Sequence, residues 1–165
     1  MPDFFENACK ELPRTDAIYG ICDLPNDKAF TTTENKNQWI ATVENKNALE
    51  VTFTAIDKCL FADDEFPGRG RCDGMLTTDQ HLYFVELKDR KSKGHANKEA
   101  LEQLESTVKF LYEFNPQEVK KFRYKKVFAC NRKKPHFAVV DSERQRKFYD
   151  TYKFRIDTQA KIVVV

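Results

Sequence analysis

The sequence predicts an α/β domain built on a mixed sheet, and three observations carry that prediction. Three β-prone stretches, residues 49–61, 71–77 and 81–88, follow one another with only turns between them. A long stripe of apolar residues at helical spacing comes next, and a further β-prone stretch, 124–130, lies beyond it. Hydrophobic residues make up 41% of the 165 and charged residues 33%, a balance that fills one core and does not fit a disordered chain. Strands joined by short turns pair antiparallel, and a strand reached through a helix pairs parallel, so the expected result is an antiparallel three-stranded meander in a mixed sheet with flanking helices. The whole chain, 1–165, reads as one domain, with residues 1–30 the segment whose pattern places it least.

The elements follow in order. Residues 4–12 have the makings of a short helix stopped by Pro13. Leu24-Pro25-Asn26-Asp27 reads as a turn. Thr33 precedes Glu34 as an N-cap would, and Trp39, Ile40 and Val43 recur at helical spacing, so a helix is expected over 34–45. β-Branched and aromatic residues dominate the first half of 49–61, which predicts the first strand of the meander. Pro67-Gly68 and Gly70 mark the turn into the second strand, 71–77. Thr78-Asp79-Gln80 connects it to the third, 81–88. After a polar, basic loop over 89–97, Leu101, Leu104, Val108 and Leu111 form one stripe of a helix spanning 97–114, widened by Phe110 and Phe114 and ended by Asn115-Pro116. Val127-Phe128-Ala129 centres the fourth strand, over 124–130. Asp141-Ser142 caps a helix through Phe148 to about Tyr152, and Ile162-Val163-Val164-Val165 reads as an edge or closing strand.

Composition narrows the function classes. No run approaches the roughly 18 apolar residues of a membrane span. The opening Met1-Pro2-Asp3-Phe4-Phe5-Glu6 is acidic where a signal peptide is basic, so a cytoplasmic protein without a membrane partner is expected. The five cysteines, Cys9, Cys22, Cys59, Cys72 and Cys130, include no C-x-x-C pair, which leaves a zinc finger unsupported and predicts reduced, mostly buried thiols. The net charge of +2 says little alone. Its distribution says more: Lys120, Lys121, Arg123, Lys125 and Lys126 cluster, as do Arg132, Lys133 and Lys134, while Asp57, Asp63, Asp64 and Glu65 gather before the second strand. Acid at a reacting centre with base around it fits a metal-dependent enzyme acting on a polyanion; the alternative for the basic clusters is a solvated surface. Arg69, Arg71, Arg90, Lys91, Lys93 and Lys98 are further candidates for holding phosphates. His81, His95 and His136 are scattered, and Gly68-Arg69-Gly70 lacks the Gly-Lys-Ser/Thr of a phosphate-binding loop.

The candidate chemistry lies in the second and third strands. The third, Leu82-Tyr83-Phe84-Val85-Glu86-Leu87-Lys88, is apolar until its end and then ionic. Residues two apart on a strand share a face, so Glu86 and Lys88 point the same way. Twelve residues separate Asp73 from Glu86, enough for the rest of one strand, a turn and most of the next. Pairing those strands brings the two carboxylates together, where they repel unless a cation lies between them. Mg²⁺ suits such a site, with Mn²⁺ as a substitute, because it takes oxygen ligands from one or two carboxylates and keeps water and phosphate in the rest of its shell. The Leu87 carbonyl adds a neutral oxygen ligand. Lys88 would orient or help deprotonate the attacking water and offset charge growing on a phosphate. Gln103, near the start of the long helix, could project over the site or face solvent beside Leu104. The bland account of Asp73, Glu86 and Lys88 is a surface salt-bridge cluster worth at most about 1 kcal/mol.

Residues 49–130 resemble the PD-(D/E)XK nuclease superfamily in the order α-β-β-β-α-β, in Asp73 at the acidic position of the second strand and in Glu86-Leu87-Lys88 on the third. Gln103 resembles the helix glutamine of some branches. Cys72 stands where the motif has proline, and for the glutamate that many members carry on the first helix both Glu34 and Glu44 are candidates. The resemblance implies a restriction-endonuclease-like core and Mg²⁺-dependent hydrolysis of phosphodiesters, with catalytic roles for Asp73, Glu86, Lys88 and Gln103 and metal ligation by Asp73, Glu86 and Leu87. The partner it implies is nucleic acid, DNA ahead of RNA, cut endo- or exonucleolytically. A single site makes one cut, so cleaving both strands would call for a homodimer. The alternative is a nuclease-like scaffold that only binds nucleic acid or protein.

Overall fold

The computed structural model describes residues 2–89, 95–132 and 140–165, with residues 95–97 as backbone only. Two mixed sheets and three α-helices make up the fold. The first sheet comprises β1 (Ile18–Cys22), β2 (Phe30–Thr32), β3 (Ala41–Glu44) and the C-terminal β9 (Lys161–Val163), in the order β2-β1-β3-β9. The second comprises β4 (Thr52–Ala55), β5 (Gly74–Thr77), β6 (His81–Lys88), β7 (Tyr124–Asn131) and β8 (Arg155–Asp157), in that order. Within it β4, β5 and β6 are antiparallel neighbours, whereas β7 and β8 run parallel to β6. The long helix α1 (His95–Phe114) makes the crossover from β6 to β7. The short α2 (Pro116–Val119) follows it, and α3 (Ser142–Tyr152) leads into β8.

Alternation along β6 explains the layering. Leu82 and Phe84 join one apolar cluster with Leu101, Leu104, Val108 and Leu111 of α1. Tyr83, Val85 and Leu87 join the other, with Tyr19, Ile21, Val43 and Ile162 of the first sheet. The five-stranded sheet is therefore buried on both faces, by helices on one side and by the smaller sheet on the other. That is why β6 reads as a nearly unbroken apolar run. Two glycines permit the close packing. A Cβ on Gly20 would sit 2.0 Å from the Trp39 ring, and one on Gly74 would sit 2.2 Å from Phe53.

The meander, α1, β7 and α3 lie where the sequence places them, and Asp141 caps α3 by accepting from the Arg144 N–H at 2.9 Å. Three expectations are overturned. Residues 34–45 are not a helix. A single 3₁₀ turn, Lys36–Gln38, precedes β3, because Ala41 and Val43 alternate inward against β1 and the strand also accepts β9. Residues 4–12 are not helical either: the segment lies along β4, with bridges Lys10 to Thr54 and Arg14 to Val51. The thiols are not all reduced: Cys9 and Cys59 form a disulfide, with Cα atoms 5.8 Å apart, while Cys22, Cys72 and Cys130 are buried free thiols. No helix among the described residues is long and apolar enough to cross a membrane.

Candidate active site

The register of the meander decides whether the acidic residues can meet. Gly74 pairs with Val85 and Met75 with Phe84, so the same register carried one residue further sets Asp73 opposite Glu86. Met75 and Phe84 face the helices, and Asp73 and Glu86, two residues along each strand, share that face. The Asp73 N–H donates to the Val85 carbonyl at 3.1 Å, and its carbonyl accepts from Ile56 at 3.0 Å. Asp73 is thereby held by both neighbouring strands just before β5 begins.

The side chains form one connected group. The Asp73 Oδ2 accepts the Leu87 N–H at 2.8 Å. The Val85 carbonyl already points to the β5 edge, so alternation turns the Leu87 carbonyl to that edge as well, beside Asp73. Glu86 is buried, at 3% exposure. Its Oε2 lies 3.2 Å from Lys88 Nζ, and Lys88 also donates to Gln103 Oε1 at 3.1 Å and lies 3.7 Å from Glu99. The helix glutamine thus faces the site and helps fix the lysine. Thr107 ties the two halves together: its Oγ1 accepts the Cys72 N–H at 2.7 Å and donates to the Gln103 carbonyl at 2.8 Å. The loop before β5 also fits closely, since a Cβ on Gly70 would lie 3.3 Å from Gln103 Cγ.

The group is electrostatically unsatisfied. Burial raises the Asp73 carboxyl to about 7; the negative charge of Asp23 adds to the rise, and the Leu87 N–H opposes it. Burial also holds Glu86 well above the usual carboxylate range, followed by the charge of Asp73, with Lys88 opposing. The two carboxyls are within hydrogen-bonding reach of one another, yet Glu86 Oε1 finds no donor. A fully buried acceptor in that state is costly, on the order of 1–3 kcal/mol. A divalent cation supplies the missing positive charge, and the oxygen set of Asp73, Glu86 and the Leu87 carbonyl matches the few hard ligands Mg²⁺ takes from protein. No cluster of three acidic, histidine or cysteine side chains among the described residues makes a complete metal cage, so most of the shell would come from water and substrate.

Several other candidates have structural employment. Arg69 forks onto Glu113 at 2.9 and 3.1 Å and lies over the Phe110 ring at 3.7 Å. Arg71 binds Asp57 and the carbonyls of Ala62, Asp63 and Glu65. His81 bridges Thr78 and the Val165 carbonyl. The basic cluster 120–126 stands at the far end of the sheet. Lys125 pairs with Leu82, and the register runs six residues, about 20 Å, before reaching Lys88. Glu34 is exposed beyond β2, and Glu44 pairs with Lys161 at the end of β3 away from Ile21 and Cys22. Neither joins the site. Arg90, Lys91, Lys93, Lys133, Lys134 and His136, and the side chain of His95, lie outside the described residues.

Sequence reasoning missed Asp23 and left Asp57 unassigned. Backbone bonds from Ile56 and Asp57 to Asp73 and Cys72 set Asp57 beside the site. Asp23, just past the end of β1, comes from the other sheet, and no local pattern signals it. Comparison of the chain with protein-family models, with curated proteins and with solved structures finds no match.

Proposed function

We propose that this chain is a divalent-metal-dependent nuclease of the PD-(D/E)XK type, acting on DNA in preference to RNA. One observation carries the reading: Glu86 is buried opposite a second carboxyl with one oxygen lacking any donor, and a lysine fixed by a helix glutamine stands on the same face. A bare surface salt-bridge cluster would not bury two repelling acids. The strand order adds support. An antiparallel meander followed by a helical crossover to a parallel strand is the order of a restriction-endonuclease-like core, although here a second sheet occupies the chain ahead of the meander where that core has a helix.

Hydrolysis joins a water oxygen to phosphorus, breaks the bridging bond to one sugar and releases one proton. Asp73, Glu86 and the Leu87 carbonyl would hold Mg²⁺ or Mn²⁺; such an ion, when bound, polarises the phosphoryl oxygen and lowers the pKa of the attacking water. Lys88, held between Glu86 and Gln103, orients that water and offsets the charge that develops on the phosphate oxygens. Gln103 keeps the ammonium aimed. A groove of about 550 Å³ beside Gln103 carries Glu99, Glu102 and Glu105, so a polyanion avoids that flank of α1. Cutting both strands of a duplex calls for two copies of this single site.

Incubating the chain with circular DNA, linear DNA and RNA in Mg²⁺ or Mn²⁺ tests the reading. Chelator-sensitive cleavage that disappears in Asp73→Ala and Glu86→Ala supports it. Intact nucleic acid under every condition overturns it and leaves a binding scaffold.

A further inference from the structure

The two sheets meet at the rim that carries the site. Arg132, one residue beyond the end of β7, donates to the Asn37 carbonyl at 2.6 Å and pairs with Asp89, which follows β6. Its charge also reaches the Cys22 thiol at the end of β1. Asp23 is the next residue, partly buried at that junction. It interacts with Asp57, Lys58 and Lys88, and it is the foremost charge acting on Asp73. Four carboxyl groups, Asp23, Asp57, Asp73 and Glu86, therefore share one rim.

They are not equivalent. Asp57 is taken up by Arg71 at 3.4 Å. No described hydrogen bond or ion pair engages Asp23. A carboxylate left in that state beside two other acids raises the energy of the metal-free protein. The Glu86 Oε1, buried without a donor, shows independently that the cluster lacks a positive charge.

We propose that Asp23, supplied by the first sheet, is a third carboxylate of the cation site and holds the water-bearing side of an ion whose protein side is Asp73 and Glu86. The inference rests on the metal-site reading above and extends it to a residue outside the αβββαβ stretch. Mg²⁺ and Mn²⁺ retain several waters when few protein ligands reach them, and a carboxylate accepting from those waters strengthens their hold. The first sheet is then part of the active site rather than a cover for the core.

Calorimetric titration of the full chain with Mn²⁺ alone tests this without any turnover readout, using wild type, Asp23→Asn, Asp57→Asn and Asp73→Asn. Asp73→Asn should abolish binding. Asp23→Asn should weaken it roughly 10-fold, the usual cost of losing an outer partner, while Asp57→Asn stays within about twofold because Arg71 already neutralises that group. Circular dichroism checks that each variant is folded, and Asp23→Ser carries the same expectation if Asn perturbs the turn. Wild-type binding with Asp23→Asn and Asp23→Ser both within twofold of it overturns the role of Asp23 alone. No Mn²⁺ binding by wild type overturns the metal site itself.

Discussion

Asp73 is where charge, burial and register meet, and its substitution by asparagine separates stability from function. Asparagine keeps an oxygen for the Leu87 N–H and gains a donor for the orphaned Glu86 Oε1. In chelator at pH 8, Asp73→Asn should melt above wild type, while Mn²⁺ stabilises wild type only; a lower melting temperature for the variant in chelator would contradict the repulsion argued here. The pH dependence has a definite sign. The folded Asp73 carboxyl sits near 7 against an ordinary 3.8, so between these values the native state binds more protons than the unfolded state. Its stabilising contribution is full below about pH 4 and is lost as pH rises through 7, a change on the order of a few kcal/mol. Metal-free protein should therefore melt progressively lower from pH 5 to 8, and saturating Mn²⁺ should flatten that fall. At Lys88 the expected loss is of turnover. Lys88→Ala should cut cleavage at least about 100-fold with DNA binding, measured by anisotropy, largely retained, and a parallel loss of binding would make the lysine a substrate clamp instead.

At the scale of elements, the site is held by strand pairing, and Gly74 shows how tightly. Gly74→Ala forces a methyl into the Phe53 ring, at an overpacking cost of about 1–3 kcal/mol, and it pushes the strand start that carries Asp73. Denaturant unfolding should register that loss, and cleavage should fall by more than stability alone explains; unchanged cleavage would show that the Asp73 position tolerates movement. The same pairings explain what was legible in the sequence. β6 and α3 could be read locally, because an apolar run ending in Glu86-Leu87-Lys88 and a capped amphipathic stretch need no distant partner to identify them. Asp73, Glu86, Lys88 and Gln103 were legible for the same reason, since all lie on the meander or the helix directly after it. Trp39, Ile40 and Val43 misled because their spacing suits a helix while Ala41 and Val43 also alternate as a strand, and only pairing with β1 and β9 decides between them. Asp23 was not legible at all, because its neighbours at the site lie in another sheet, dozens of residues along the chain.

At the scale of the whole molecule, the N-terminal segment is a strap across β4, and the Cys9–Cys59 disulfide is its buckle. The segment donates and accepts backbone hydrogen bonds at Glu11, Arg14, Phe53 and Val51, and it buries Phe4 against Phe61 and Phe84. Cys59 lies two residues after Asp57, so the bond fastens the strap to the turn leaving the acidic rim. Closing a loop with a sequence separation of 50 restricts the unfolded chain and stabilises the fold by roughly 2–4 kcal/mol. The three free thiols are buried and report nothing to a mild alkylating reagent while the fold holds. Under native conditions a dithiol reductant should therefore expose two alkylatable thiols and lower the denaturant midpoint without changing the sheet signal in circular dichroism. The Cys9→Ser/Cys59→Ser variant should reproduce that lowered midpoint and be indifferent to the reductant. If the double variant matched oxidised wild type in stability, the N-terminal contacts alone would hold the strap and the cross-link would add nothing to the fold.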